Sequence, residues 1–217
     1  MGQRWLHYSP AMSDLTEADR RGLPLLSSGV PRERADAARN RARVLAAADR
    51  LFAARGVGAV SMDDVARAAG VGKGTLYRRF KDKSGLAAAL LNERETELQT
   101  KMLSGPPPLG PGAPPNDRLA AFIAAYVAYV DRHLELVDLS QTASPGARLR
   151  TGAHQLWRHH CQILLTAAGV PDAGVRADIL LAALTAEQVR QWRRDQRLSL
   201  SDLTDAIVAA GRRLTER

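Results

Sequence analysis

The tightest constraint on how this chain folds is Gly70-Val71-Gly72, because it separates two segments too short to be stable helices on their own. Before it, Ser61-Met62-Asp63-Asp64 reads as a capping box: the Ser61 hydroxyl accepts from the Asp64 backbone N–H, and the Asp64 carboxylate reaches back to Ser61. Val60 and Val65 flank that cap at the spacing of a hydrophobic staple. The helix so begun runs only to Ala69, and Ala66 leaves it a small surface that a second helix can cross closely. After the glycines a second short helix begins with Gly72 as N-cap. Leu76 and Phe80 take its inner face, while Lys73, Gly74, Tyr77 and Arg78 take the outer one. This is the pattern of a helix-turn-helix.

The charge distribution agrees. Residues 31–83 carry thirteen Lys and Arg against six acids, +7 of the formal +8 of the whole chain. A basic block beside a nearly neutral remainder is the footprint of a polyanion-binding module, or else an Arg-rich solvated surface. Two further features favour the first. The tight turn holds the second helix proud, fit to enter a DNA major groove about 12 Å wide. Gly74 bares the backbone, and the helix N-terminus with Lys73 favours phosphate.

Periodicity elsewhere is helical throughout. Val44, Leu45, Ala48, Leu51 and Phe52 form one stripe, closed by Gly56 and Gly58. Six prolines between Ser104 and Asn116 predict a loop. Four stripes follow: Leu119 to Val130; Leu149, Ala153, Leu156, Trp157, Cys161 and Leu164; Ile179, Leu180, Ala183, Leu184 and Gln188; and Leu203, Ile207, Ala210 and Leu214. The expectation is an all-α protein with these divisions: a disordered arm over 1–36, a DNA-binding head over 37–82, a connecting helix over 83–103, a Pro/Gly loop over 104–116 and a helical body over 117–217. The longest apolar run, Leu119 to Val130, is too short to span a bilayer. With one cysteine and no apolar signal core, the chain reads as a cytoplasmic protein without membrane or disulfide framework.

Leu51-Phe52 with Gly56, the run from Ser61 to Phe80, and then Lys83 and Leu86 resemble the TetR family of transcriptional regulators over about residues 38–98. The resemblance implies a three-helix DNA-binding head, a helical ligand-binding and dimerisation domain, and a homodimer on a palindromic operator, released by a small molecule where one exists. Carried over by residue, Gly72, Lys73, Thr75, Tyr77 and Arg78 become groove and phosphate contacts, with Ser61 and Lys83 touching the backbone. Arg79 stands where the family often has His and adds a candidate contact; Gly72 replaces a commoner Ser. Gly85 stands where an acid is usual and is expected to cost about 1 kcal/mol of helix propensity. Arg32, Arg34, Arg39, Arg41 and Arg43 are placed for an arm along the phosphates or into a minor groove, against a plain disordered tail or a true start at Met12.

In the body, Phe122, Tyr126, His154, Trp157 and Cys161 are the candidate effector wall, read against the alternative that the aromatics are simply core. That wall is expected to be mainly apolar and to take a hydrophobic or aromatic molecule, neither sugar nor nucleotide. Two final helices, about 174–195 and 199–215, are expected to pair with their symmetry mates through Leu180, Leu184, Trp192, Ile207 and Leu214. His154, His159, His160 and Cys161 spread around their helix and predict no metal site; no cofactor motif and no nucleophile–base pair predicts an enzyme. Three functions follow: a ligand-released repressor, a DNA-binding protein without small effector, or a helical small-molecule binder. A sealed, fully packed body would favour the second.

Overall fold

The computed structural model of the chain describes residues 29–141, 146 and 148–216. Among these residues all regular structure is helical. The chain divides between Asn40 and Arg41, and the unit from Arg41 onward holds both the head and the body.

Helix α1 spans Gly29–Arg55. Its start corrects the arm expected over 1–36: residues 29–36 are helical, and 1–28 lie outside the described residues. Pro31 falls in the first turn, where a missing N–H costs nothing, and the Arg-, Glu- and Ala-rich run after it propagates the helix. Val44, Leu45, Ala48 and Phe52 are buried on one face. Gly56, at φ +77°, ends the helix, its N–H donating to the Phe52 carbonyl at 2.9 Å.

Helices α2 (Met62–Ala69) and α3 (Lys73–Phe80) complete the head, and α4 (Lys83–Ser104) leads out of it. Leu86 and Leu90 of α4 are buried, and α4 packs on α3 and on α6 (Leu134–Gln141). The proline segment is a loop as expected. It ends at Pro115, the first residue of α5 (Pro115–Arg132), where proline fits. All six residues of the α5 stripe, Leu119 to Val130, are buried.

Helices α7 (Gly152–Ala167) and α8 (Ala173–Ala183) pack on each other, and α10 (Leu200–Arg213) packs on α5. Leu149, expected on the α7 stripe, is exposed in a 3-10 turn before it. The single helix expected over 174–195 is broken. Thr185 turns extended (ψ 154°) and its hydroxyl accepts the Gln188 N–H at 3.2 Å, starting α9 (Ala186–Arg190), which passes into a π-helical turn over Gln191–Asp195. Thr185-Ala186-Glu187-Gln188 has the sequence of a capping box, the signal that marks this break. Gly211 of α10 lies so close to α5 that a Cβ there would come within 2.3 Å of the Ile123 Cδ1 methyl.

Candidate nucleic-acid interface

The capping box at α2 is formed in full. The Asp64 N–H donates to Ser61 Oγ at 3.1 Å, and the Ser61 N–H donates to Asp64 Oδ2 at 3.1 Å. Ser61 Oγ also donates to Asp64 Oδ2 at 2.8 Å. These bonds, the side-chain one foremost, hold the Asp64 carboxyl below its usual range. Val60 and Val65 are both buried. At the other end Gly70, at φ +62°, closes α2, and the Val71 N–H donates to the Ala66 carbonyl at 3.0 Å. Arg43 of α1 fastens this turn: its Nη2 donates to the Ala69 carbonyl at 2.6 Å and the Gly70 carbonyl at 3.3 Å. Arg43, expected at the phosphates, thus serves first to fix the turn against α1.

The turn sets α3 on the surface with two unlike faces. Leu76 and Phe80 are buried, whereas Lys73, Gly74, Thr75, Tyr77, Arg78 and Arg79 are exposed. Tyr77 shows 45% of its surface, a large value for an aromatic ring on a folded head. Among the described residues Thr75, Tyr77 and Arg78 make no side-chain hydrogen bond or ion pair. A Cβ at Gly72 or Gly74 would meet nothing within 4 Å. The fold itself therefore does not require glycine at either position, and the helix start is bare toward any partner.

Three other expected contacts are already engaged within the head. Ser61 Oγ is committed to Asp64. Lys73 is ion-paired with Asp63, both groups remaining largely exposed and so available to exchange for phosphate. Lys83 Nζ donates to the carbonyls of Val60 at 2.8 Å and Gly58 at 3.2 Å. The structure brings Lys83 against the loop between α1 and α2, where it acts as a pin. Gly85 also differs from expectation. Its N–H donates to Asp82 Oδ1 at 2.8 Å, and a Cβ would fall 2.0 Å from the Phe80 carbonyl oxygen. Glycine is required there by close approach rather than tolerated.

In the body, a cavity of about 400 Å³ opens among α4, α5, α6 and α7. Of the five candidate wall residues, Tyr126, His154 and Trp157 line it. Phe122 and Cys161 are fully buried behind them, Phe122 stacked at 5.6 Å on Tyr126 and 6.0 Å from Trp157. Burial pushes the Cys161 thiol up to about 12, so it stays protonated. The wall is mixed, with the expected apolar and aromatic lining joined by Asn92, Glu95 and Gln99 of α4, Gln141 of α6 and Arg148. Asn92, Glu95 and Gln99 project one helical turn apart from α4, a spacing visible in the sequence but indistinguishable there from a solvated face. Among the described residues no group of three His, Cys, Asp or Glu is placed to hold a metal.

Cavity and head are joined by polar contacts. The Tyr129 hydroxyl donates to Glu95 Oε1 at 3.2 Å, and the Tyr129 ring meets His133 edge-on at 5.3 Å. Arg94 Nη1 lies 3.3 Å from His133 Nδ1, and the same guanidinium pairs with Asp49 of α1. The Val57 N–H, at the end of α1, donates to Glu135 Oε2 of α6 at 3.1 Å.

The expected pairing surface is partly corrected. Leu184 is buried within the protomer, at 1% exposure, and cannot meet a symmetry mate. Leu180 and Ile207 are mostly buried and floor an apolar groove of about 420 Å³ between α8 and α10, which Trp192 and Leu214 also line. Its exposed rim is Ile179, Ala183, Ala206 and Ala210.

Comparison with known proteins places this architecture. Residues 44–90 match the bacterial regulatory proteins of the tetR family. An HTH-type transcriptional regulator of Staphylococcus aureus (strain USA300) is 51% identical over 53 residues, 24% of this chain and 29% of that protein. The chain thus spans under a third of that relative's length. A TetR/AcrR-family regulator from Thermobifida fusca superposes with a TM-score of 0.57 at 23% identity, covering 82% of this chain and 98% of that one. NalD, the secondary repressor of the MexAB-OprM multidrug efflux pump in Pseudomonas aeruginosa, superposes with a TM-score of 0.53 at 23% identity, covering 80% and 95%. Residues 44–90 thus match the tetR-family head, and the all-helical fold of the chain is one that solved regulators of that family share.

Proposed function

We propose that this protein is a DNA-binding transcriptional regulator, a repressor that binds a palindromic operator as a homodimer and is released by a small molecule held in the body. The observation that carries the reading is the outer face of α3, where Thr75, Tyr77 and Arg78 are exposed and make no side-chain hydrogen bond or ion pair among the described residues. Arg78 reads a base edge, most simply guanine, while the bare helix start at Gly72, Lys73 and Gly74 meets phosphate. Arg79 adds a contact at the rim, and Ser61 and Lys83 meet the backbone only with the groups their internal bonds leave over.

The division of labour follows the chain: residues 37–82 bind DNA, 83–103 connect, and 117–217 bind effector and partner. Two copies join along the apolar faces of α8 and α10, with Ile179, Trp192, Ile207 and Leu214 at the contact, which sets two α3 helices about one DNA turn apart. The open cavity supports an effector-responsive regulator over a fully packed DNA-binding protein. Occupying it disturbs Glu95 and Tyr129, and through His133 and Arg94 the pairing with Asp49 that orients the head. A coupling of about 1–3 kcal/mol, some 5- to 150-fold in operator affinity, is ordinary for such a switch. Selection from random duplex DNA tests the reading: a palindromic consensus is expected, and recovery of DNA without any consensus would remove it.

A further inference from the structure

The effector cavity is lined by two charged side chains of opposite sign, Glu95 and Arg148, and neither is in a salt bridge among the described residues. Glu95 accepts only the Tyr129 hydroxyl at 3.2 Å. Burial holds its carboxyl above the usual range, opposed by that one hydrogen bond, and no cation acts on it. Arg148 makes only long contacts, 3.4 Å to the Leu181 carbonyl and 3.4 Å to His154 Nδ1, which burial and Arg148 keep depressed and therefore neutral. The carboxylate whose charge reaches Arg148, Asp178, is hydrogen-bonded to Arg158 instead, and no carboxylate lies in salt-bridge contact with Arg148 among the described residues. Glu95, Arg148 and Tyr126 line the same cavity, and both charges act on the Tyr126 hydroxyl, Glu95 raising its pKa and Arg148 lowering it. The same cavity has an aromatic wall, with Tyr126 and Trp157 centred 5.8 Å apart.

A simple organic cation would gain Glu95 but be repelled by Arg148; a simple anion would meet the reverse. A neutral apolar ligand would bury both charges unpaired, the costliest outcome. We propose that the cavity takes a small zwitterion with an aromatic or apolar middle, its cationic end against Glu95, its anionic end against Arg148, and its body across Tyr126 and Trp157. The inference rests on the reading of this cavity as the effector site. The ammonium end gains from both the carboxylate and the flanking rings, and the carboxylate end suits the planar guanidinium fork.

The test uses the full chain and a matched series of 4-(ω-aminoalkyl)benzoic acids with spacers of one to four methylenes. Each is compared by calorimetry with its methyl ester, its N-acetyl derivative and the doubly blocked compound. The zwitterion of best length is expected to bind about tenfold or more tighter than either singly charged relative, the worth of one charge-assisted hydrogen bond. Glu95→Gln should abolish the preference for the free amine alone, and Arg148→Gln the preference for the free acid alone, in variants whose thermal unfolding remains cooperative. Equal binding across the wild-type series, tightest binding by the blocked compound, or no binding at any length overturns the proposal without use of a variant. Duplex selection on the same preparation separates the failures. A DNA consensus with no zwitterion preference leaves the regulator reading standing, whereas a zwitterion preference without a DNA consensus leaves only the cavity assignment.

Discussion

Replacing Gly85 with alanine is expected to destabilise the protein, against the rule that alanine improves a helix. Gly85 lies in the first turn of α4, and on propensity alone Gly85→Ala would gain about 1 kcal/mol. The backbone before it forbids the gain. Lys81 takes φ +65° and ψ −60°, and the Asp82 N–H donates to the Phe80 carbonyl at 2.8 Å, a strained γ-turn that folds this carbonyl over α4. An alanine Cβ would stand 2.0 Å from that oxygen, more than an ångström inside ordinary contact. The neighbour is backbone and cannot rotate away, so the turn must open. Overpacking of this kind costs about 1–3 kcal/mol, and opening the turn also loses the 2.8 Å bond from the Gly85 N–H to Asp82, a cap worth about 1 kcal/mol. The net expectation is a loss of about 1–3 kcal/mol, read as a lower urea midpoint at unchanged slope. Because Phe80 and Leu76 carry the inner face of α3, operator affinity should fall by more than the unfolded fraction accounts for. A Gly85→Ala protein as stable as the parent, with equal DNA affinity, would refute the close approach.

Arg78→Ala and Lys83→Met should part in their effects. The first should relax the selected DNA sequence and cost about 1–3 kcal/mol per half-site with folding intact. The second should lower stability by about 1–2 kcal/mol as the Gly58 and Val60 carbonyls lose their donor, and an unchanged melting temperature would restore Lys83 to a purely phosphate-binding role. Acid should weaken the fold before the carboxylates titrate. His160, packed at 5.4 Å on Phe122, is lowered to about 4 chiefly by burial, so its contribution is complete above pH 6.5 and is lost as pH falls toward 4. His160→Phe should flatten the melting temperature between pH 7 and pH 5, and an undiminished slope would assign the acid sensitivity elsewhere. Ile179→Glu places a charge on the exposed rim of the α8–α10 groove and should yield a monomer by light scattering with intact helicity; a persistent dimer would move the interface off this face.

What the sequence displays legibly is whatever is local. The capping box at Ser61, the glycine turn and the two faces of α3 each follow from residues within a turn of one another, and the structure reproduces them residue by residue. The Thr185 cap was equally local, yet a continuous apolar period across Ala183 and Leu184 conceals it, because a stripe says which side is buried and not whether the helix is unbroken. The end of α5 at His133 has no such signal. Nothing in Val130-Asp131-Arg132-His133-Leu134 breaks a helix, and the kink is set by Tyr129, Arg94 and the packing of α6 on α4.

Long charged side chains are the least legible in the sequence, for a reason that bears on how the head is built. Length and charge make Arg43 and Lys83 suitable both for phosphate and for the orphan carbonyls at a helix end, and sequence spacing cannot choose between them. The structure turns both inward, onto Ala69 and Gly70 in one case and onto Gly58 and Val60 in the other. Glu95 and Arg148 turn inward as well, into the cavity, but more sparsely partnered, Glu95 by the Tyr129 hydroxyl and Arg148 by a long 3.4 Å contact to the Leu181 carbonyl. A buried charge that caps a backbone carbonyl is complete, whereas one that faces an open cavity is stable only with something brought to it. The inward charges of the head are thus met by its own backbone, whereas those lining the body cavity are met only in part. Under the proposed function, a ligand that completes Glu95 would load the same turn of α4 from which Arg94, one residue away, reaches Asp49 of the head.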